Sequence, residues 1–436
     1  MKLLFYKLSS RMILTMSNFT NLRIFACIAL ILLSTVGYGQ WGAPYSNQWV
    51  NYDQEYYKVE IREEGLYRIP FNSLPDVIKN ADKSKIQIFK AGKEIAIISV
   101  DAEGILFHGV PNRGETDSLL YRPMSSRINP YSSLFSNASA YFITVGKENG
   151  RRAQSITGQA NANLGLTSKH RAEVLVLREE EYSLSVLSAI YPKFMNSYYE
   201  KGASKSGIKH LGDTLIITSV VAPNILFDTE SKTQLKMLLY GRSNLDRDIE
   251  VFAGRTAGTM RSLGKVRINQ FEPKLFESTL TQMDFDAAGK VFIGYRSSQK
   301  DRLERFSLSY LSIQYDQDLL LKGEKTKYFA MPQQGKTSLR FGISDIPTTD
   351  YTAYEISDPS SPIIIKGDLK DITVPATRTA NYKLCVSQEQ TVLTSSQVVK
   401  AKLDKLDPKD YNYLIITIDK LLPSANEYAA YRKSEK

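Results

Sequence analysis

Tyr57-Lys-Val-Glu-Ile-Arg-Glu-Glu-Gly-Leu-Tyr-Arg-Ile69 decides the fold class. Tyr57, Val59 and Ile61 alternate with Lys58, Glu60 and Arg62, then Gly65 turns the chain toward Tyr67 and Ile69. Side chains of a strand point to opposite faces in turn, so this period of two marks a strand with one face in a core. The signal recurs downstream. Ile86-Gln-Ile-Phe89, a turn at Ala91-Gly92-Lys93, and Ile95-Ala-Ile-Ile-Ser-Val100 read as a hairpin. Gly104 to Phe107 and Ala140 to Val145 add strands to a first β unit spanning 50–147.

A polar stretch, Gly146 to Ser168, follows and reads as either a linker or a long exposed loop. Short apolar runs then resume: Leu215 to Val221, Leu235 to Tyr240, Ile249 to Phe252, Leu263 to Ile268, Phe276 to Leu280 and Val291 to Tyr295. Separated by turn residues, they suggest a sandwich over 170–320. Phe306, Leu308 and Tyr310 alternate in one phase, and Leu311, Ile313 and Tyr315 in the other. That slip fits a bulge, or a strand buried on both faces. A third β-rich segment, 321–405, holds Tyr328-Phe-Ala330, Leu339 to Ile343 and Ile363-Ile-Ile365. The expected class is mainly β, with successive β-sandwich or jelly-roll-like domains.

Residues 408–436 change character. Asn412 to Ile418 is a mostly apolar run bounded by polar turns and reads as a buried strand. Asp419 can cap a helix, Pro423 suits its first turn, and Ala425, Tyr428, Ala429 and Arg432 follow at helical spacing. A buried strand feeding a helix is how an α/β domain begins, so this end reads as the start of an incomplete one.

The other end reads as an export signal. Arg23 precedes the uncharged stretch Ile24 to Val36, too short to span a bilayer comfortably, and Gly37-Tyr38-Gly39 supplies small residues before a cleavage point. Residues 1–39 are the expected signal peptide, with Gln40 the mature terminus and Met16 an alternative start; an uncleaved anchor is the other reading. No later segment has 18 consecutive apolar residues, so no membrane span is expected after cleavage.

The net charge is +10. Lys2, Lys7, Arg11 and Arg23 lie in the acid-free leader, leaving +6 on the mature chain. No dense Lys/Arg block with interleaved aromatics occurs, which argues against a nucleic-acid partner. Cys27 falls in the leader, so Cys385 stands alone in the mature chain. That excludes an intramolecular disulfide and a cysteine-based metal site, and suits an oxidising envelope.

Several segments carry a resemblance. Tyr411-Asn-Tyr-Leu-Ile-Ile-Thr417, Leu421-Leu-Pro-Ser-Ala425 and Tyr428-Ala-Ala-Tyr-Arg-Lys433 resemble the opening of the catalytic domain of gingipain-type cysteine peptidases. Gly104-Ile-Leu-Phe-His-Gly-Val-Pro-Asn-Arg-Gly-Glu-Thr-Asp117 with Leu120-Tyr121, Tyr310-Leu-Ser-Ile-Gln-Tyr315, and Tyr354-Glu-Ile-Ser-Asp-Pro-Ser-Ser-Pro362 resemble segments amino-terminal to that domain in the family's type IX secretion sortase. The resemblance covers most of 50–436. It implies the amino-terminal, non-catalytic portion of a secreted cysteine peptidase, inactive alone, with secretion-machinery or cargo proteins as partners. It implies a place in the periplasm, outer membrane or cell surface of a Bacteroidetes-like bacterium. A stand-alone envelope binding module and an adhesin are the alternatives.

No catalytic residue is carried over, because no position matches the family's His and Cys motifs. Cys385, in the strand-like Tyr382-Lys-Leu-Cys-Val386, reads as a buried structural thiol. His108 precedes Gly109 but sits in the loop signature, which favours packing. His170 and His210 occupy Lys-flanked polar segments and read as solvent-exposed. Isolated histidines give no metal-ligand spacing, and no cofactor is expected. Asp284-Phe-Asp-Ala-Ala-Gly289 lacks the third ligand and closing Glu of a calcium loop, so a turn is expected. Gly335-Lys-Thr337 lacks the first glycine of a phosphate loop, since Ala330 stands there.

Overall fold

The computed structural model describes residues 47–184, 198–227, 230–299, 301, 303–333, 335–346, 350–377, 379–405, 409 and 413–435. The expected signal peptide at 1–39 lies outside the described residues. Residues 47–51 group with 91–93, while 52–90 and the described residues from 94 onward form a second unit. In the first, Asn47–Trp49 makes a turn of 3-10 helix, and Ala91 and Gly92 take left-handed φ values of 47° and 79°.

The second unit carries the β architecture that the period-two patterns predict. It contains three pairs of sheets, each around its own core. In the first pair, one sheet runs Val399–Ala401, Tyr56–Ile61, Ser139–Val145, Ile86–Lys90. The other runs Thr391–Val392, Gly65–Ile69, Gly104–Gly109, Ser99–Asp101. Val59, Ile61, Tyr67, Ile69, Ile88, Phe107, Tyr141 and Ile143 fill the space between them. Gly104 is required where it stands. Its φ is 135°, and a Cβ there would lie 2.2 Å from the carbonyl oxygen of Ile69.

The second pair forms a sandwich from strands between residues 169 and 318. One sheet is Lys169–Leu177, Arg305–Asp318, Thr233–Gly241, Pro273–Leu280; the other is Ile216–Val221, Lys290–Ser297, Arg247–Gly254, Arg261–Ile268. Every pairing is antiparallel. Both explanations of the phase slip near Tyr310 hold. Leu238 faces Tyr310 while Leu239 faces Leu308, so Ser309 is an unpaired bulge residue. Residues 306–313 are all buried.

The third pair joins Thr326–Pro332, Asn381–Ser387, Thr352–Glu355, Ile363–Lys366 and Gln154–Thr157 against Ile372–Pro375, Ser338–Phe341 and Leu166–Thr167. Two expectations are corrected here. The stretch 146–168 is not a linker or a loop throughout: Gln154–Thr157 pairs parallel with Ile363–Lys366, and Leu166–Thr167 parallel with Ser338–Phe341. As short edge strands they expose most side chains, so polar residues are tolerated. Within the expected third segment 321–405, the strands at 391–392 and 399–401 pair instead with Gly65–Ile69 and Tyr56–Ile61, and Leu393 enters the first core.

The carboxy-terminal expectation is half met. Leu422–Ser434 is a helix with Pro423 in its first turn, but Asp419 opens a 3-10 turn and does not cap it. The buried strand is not formed. Residues 413–418 carry no strand assignment, and Leu414 and Ile416 are 74% and 89% exposed. An apolar run becomes a buried strand only beside a pairing strand, and none of the described residues supplies one. No described helix is long and apolar enough to cross a membrane, which says nothing of strands.

Candidate functional site

A thiol peptidase needs a nucleophilic cysteine, and Cys385 is the one cysteine among the described residues. Strand Asn381–Ser387 turns Tyr382, Leu384 and Val386 into the third core. Alternation sends Cys385 to the opposite face, against Leu66, Ile98, Leu106, Tyr354 and Ile356. The thiol therefore sits in a seam between the first and third sheet pairs and is fully buried. Burial pushes it up to about 12, the Glu64 carboxylate adds to the shift, and the Tyr328 phenol opposes it. A nucleophilic cysteine needs the opposite shift.

His108 borders the same seam. It lies on strand Gly104–Gly109 opposite Leu66, with its side chain buried. Nε2 is 3.8 Å from Glu64 Oε1, beyond hydrogen-bond reach. Burial holds the imidazole below its ordinary value against the pull of Glu64. Arg113 occupies the other carboxylate oxygen at 3.1 Å. The fold thus brings His108 and Cys385 to the same seam between the first and third sheet pairs, with Glu64 acting electrostatically on both. Burial disfavours the charged form of each, and no hydrogen bond joins them among the described residues. A general base must reach the proton it removes, so this is a packing arrangement.

His170 and His210 correct the expectation of exposure. His170 is 4% exposed and its Nε2 is 3.1 Å from Gln317 Oε1, with the ring edge-on to Phe329 at 4.9 Å. Burial lowers its pKa to about 4, although the Gln317 bond opposes the shift. His210 is half-buried against Phe306 and Tyr295, and burial lowers it too. Their flanking lysines stay in water while the rings serve as aromatic packing, so local polarity misleads.

His170 lines a cleft of about 420 Å³ between the second and third sheet pairs. Its charges are largely matched. Arg171 pairs with Asp316 at 2.9 Å and Lys327 with Glu324 at 2.7 Å. Glu173 accepts from Tyr131 at 2.7 Å and from Gln314 at 3.1 Å. This is a satisfied polar seam.

The rejected motifs are turns, as expected. Asp284 accepts from the Thr281 backbone and binds Arg261 at 2.6 Å. Asp286 accepts from the backbone of Ala288 and Lys290, and Gly289 takes φ 77°. Gly335 turns at φ 74° while Ala330 lies within strand Thr326–Pro332. Among the described residues, no cluster of three His, Cys, Asp or Glu could hold a metal.

One buried pair escapes sequence reasoning. Arg247 and Glu304 are wholly buried, 3.1 Å apart, where strands Arg247–Gly254 and Arg305–Asp318 of the second sandwich begin. Arg247 also donates to the carbonyl of Gln270 and to Ser243, and Ser297 donates to Glu304 at 2.7 Å. The alternation of Arg247 with Asp248 in front of Ile249 was the available signal, since Arg247 shares the inward phase of Ile249 and Val251.

These observations define a class: an assembly of consecutive β-sandwiches whose single described thiol is structural. Comparison with solved structures then gives a particular likeness. Latent PorU from Porphyromonas gingivalis matches with a TM-score of 0.59 at 13% identity, over 87% of this chain and 36% of that one. The fold is therefore shared with PorU, and this chain spans about a third of the PorU chain's length. The adhesin domain of Lys-gingipain from the same organism matches at 14% identity, TM-score 0.21, over 33% of this chain and 98% of that one. A CBM36 carbohydrate-binding module matches at 10% identity, TM-score 0.19, over 32% and 98%. No protein-family model and no curated protein matches the sequence.

Proposed function

We propose that this chain is a non-catalytic β portion of a PorU-like, gingipain-type secreted protein that serves type IX protein secretion in the cell envelope. The observation that carries the reading is the extent of one likeness: 87% of the chain follows PorU. The buried thiol at about 12 supports the absence of peptidase activity in these domains. Their role is then to position a peptidase or to dock secretion-machinery or cargo proteins. The leader at 1–39 supports export, with a mature terminus near Gln40.

Deletion of the gene tests the reading. Cargo proteins should keep their carboxy-terminal sorting signal and fail to reach the cell surface, and restoring the chain should correct both. Normal cargo processing in the deletion strain defeats the secretion role. Normal processing with lost surface adhesion would favour an adhesin. Amino-terminal sequencing of the protein from cell envelopes should begin near Gln40; a chain retaining Phe25 contradicts cleavage.

A further inference from the structure

Two sheets give the second sandwich four edge strands, and three of them are guarded by charge. Lys169–Leu177 carries Lys169, Arg171 and Glu173. Pro273–Leu280 carries Lys274 and Glu277, and Arg261–Ile268 carries Arg261, Lys265 and Arg267. The fourth edge, Ile216–Val221, reads Ile-Ile-Thr-Ser-Val-Val and carries none. It pairs with Lys290–Ser297 in unbroken register on one side, and no strand among the described residues pairs on its other side. Folded proteins block an open edge with lysine, proline or a bulge, because an unblocked one accepts a further strand. Ile216–Val221 has none of these devices.

The open side is equipped to bond. The backbone N–H of Ala222 donates to the Gly289 carbonyl at 2.8 Å, which continues the register of Val221 opposite Lys290. Hydrogen-bonded pairs alternate along an antiparallel ladder. Ile216, Thr218 and Val220 therefore bond to Lys290–Ser297, while Ile217, Ser219 and Val221 turn N–H and C=O away from it. The side chains follow the same alternation. Thr218 and Val220 are buried, whereas Ile217 is 40% and Val221 48% exposed on the outer face.

We infer that this edge pairs antiparallel with the same edge of a second copy of the chain, about a two-fold axis at Ser219. In that register Ser219 faces Ser219 of the second copy and Ile217 faces its Val221. Each facing pair exchanges both N–H···O bonds, and β-branched side chains meet across the join. Two four-stranded sheets become one continuous sheet. Charge selects the occupant. A charged edge suits a partner of opposite sign; a neutral edge whose outward groups are all matched by their two-fold mates suits itself. The nearest cation, Lys290, is opposite Val221 on the neighbouring strand, and its Nζ lies over the Phe292 ring at 4.7 Å, along its own strand. The join is one strand wide, below the roughly 1,200 Å² of a stable interface, so the association is reversible and follows concentration.

The inference does not depend on kinship with peptidases. The test is sedimentation velocity of the purified chain over a rising concentration series. The parent should pass from monomer to dimer. Ser219→Pro removes an N–H on the open side and spares the bonds to Lys290–Ser297. Ile217→Lys places a cation on the outer face beside the join. Each should raise the dissociation constant about tenfold or more, with a circular dichroism spectrum like the parent's. Combining Ile217→Lys with Val221→Glu should restore the dimer, because the two new charges face each other across the axis. Leu275→Lys, at a 47% exposed site on the edge strand Pro273–Leu280, should associate like the parent. If Ser219→Pro unfolds, Ile217→Lys and its recovery decide. A parent that stays monomeric overturns the proposal, including the case in which the edge takes an extended segment of a different protein. Association that Ile217→Lys leaves intact lies elsewhere, as it would for an uncleaved leader, and overturns it too. Failure of the combined variant to recover overturns the two-fold register.

Discussion

Tyr131 and Tyr310 meet edge to face, with ring centroids 4.8 Å apart. Tyr131 belongs to the loop that links Gly104–Gly109 to Ser139–Val145 within the first sandwich, and Tyr310 to the long strand Arg305–Asp318 of the second. The Tyr131 hydroxyl donates to Glu173 at 2.7 Å, and Asn129 donates to Ser309 at 3.0 Å. Ser309 is the bulge residue, so the bulge supplies an acceptor to the neighbouring domain. The first two sandwiches are therefore packed together through a specific contact, and not strung on a free tether. Tyr131→Ala should destabilise the chain by about 1–2 kcal/mol, from the aromatic contact and a lost hydrogen bond. Denaturant unfolding would measure the loss. Limited proteolysis should also cut faster between 122 and 137 in the variant; unchanged cutting would mean the contact does not hold the loop.

The pair Arg247–Glu304 should behave as a buried ion pair. Removing either partner leaves a charge in a dry site, which costs about 3–5 kcal/mol. Arg247→Met and Glu304→Gln should each cause a loss of that order in denaturant midpoints. The double variant should lose less than the two losses added together, because the surviving charge is the main penalty. Additive losses would show that the two side chains do not act as a pair.

The same pair shows where sequence reading stops. Strand Tyr56–Ile61 is legible because Tyr57, Val59 and Ile61 carry the period-two signal themselves. The bulge at Ser309 is legible for the same reason, as a change of phase. Pairing between strands far apart in sequence leaves no such mark. Nothing local in Gln154–Thr157 reports its partner Ile363–Lys366, and nothing in Val399–Ala401 reports Tyr56–Ile61. The run at 413–418 is the converse: an apolar strand signal without a strand beside it among the described residues. For the candidate site, burial of Cys385 follows from its apolar neighbours, whereas burial of His170 depends on Phe329 and Gln317 of distant strands. Glu64, the carboxylate acting on both His108 and Cys385, is likewise placed by tertiary structure alone.

The strands at 391–401 give a direct test of the observed pairing. Leu393 is 2% exposed within the first core, although it follows the third sandwich in sequence. Leu393→Ala should cost about 2–5 kcal/mol. Hydrogen exchange should locate the loss in strands Tyr56–Ile61 and Gly65–Ile69. Faster exchange confined to Asn381–Ser387 would contradict the pairing.

The histidines set a pH dependence. His170 has a native pKa near 4 against about 6.5 for an ordinary histidine. Between those values the unfolded chain binds the proton that the native chain refuses, so stability is full above about 6.5 and falls as pH drops toward 4. The lowered values of His108 and His210 act in the same direction. For His170 the limit is about 3 kcal/mol, taking 1.36 kcal/mol per pKa unit. His170→Gln should flatten the decline between pH 6.5 and 4, while lowering stability at pH 7 through altered packing against Phe329. Parallel pH profiles for parent and variant would show that His170 has the same pKa in the native and unfolded chains and contributes no linkage.

Cys385 provides the sharpest discrimination between a structural and a catalytic thiol. At pH 8 a group that ionises near 12 is thiolate in only about one molecule in ten thousand, and the surrounding Leu66, Leu106 and Tyr354 exclude reagent. The folded protein should resist a soluble alkylating reagent for hours, and react within minutes once unfolded in guanidinium. Hydrolysis of peptides with Arg, Lys or small residues before the cut should be absent from the chain. Any residual turnover should be unchanged by Cys385→Ala, which marks a contaminant. Rapid alkylation of native protein, or turnover that disappears with Cys385→Ala, would make this seam an active site and defeat its reading as packing.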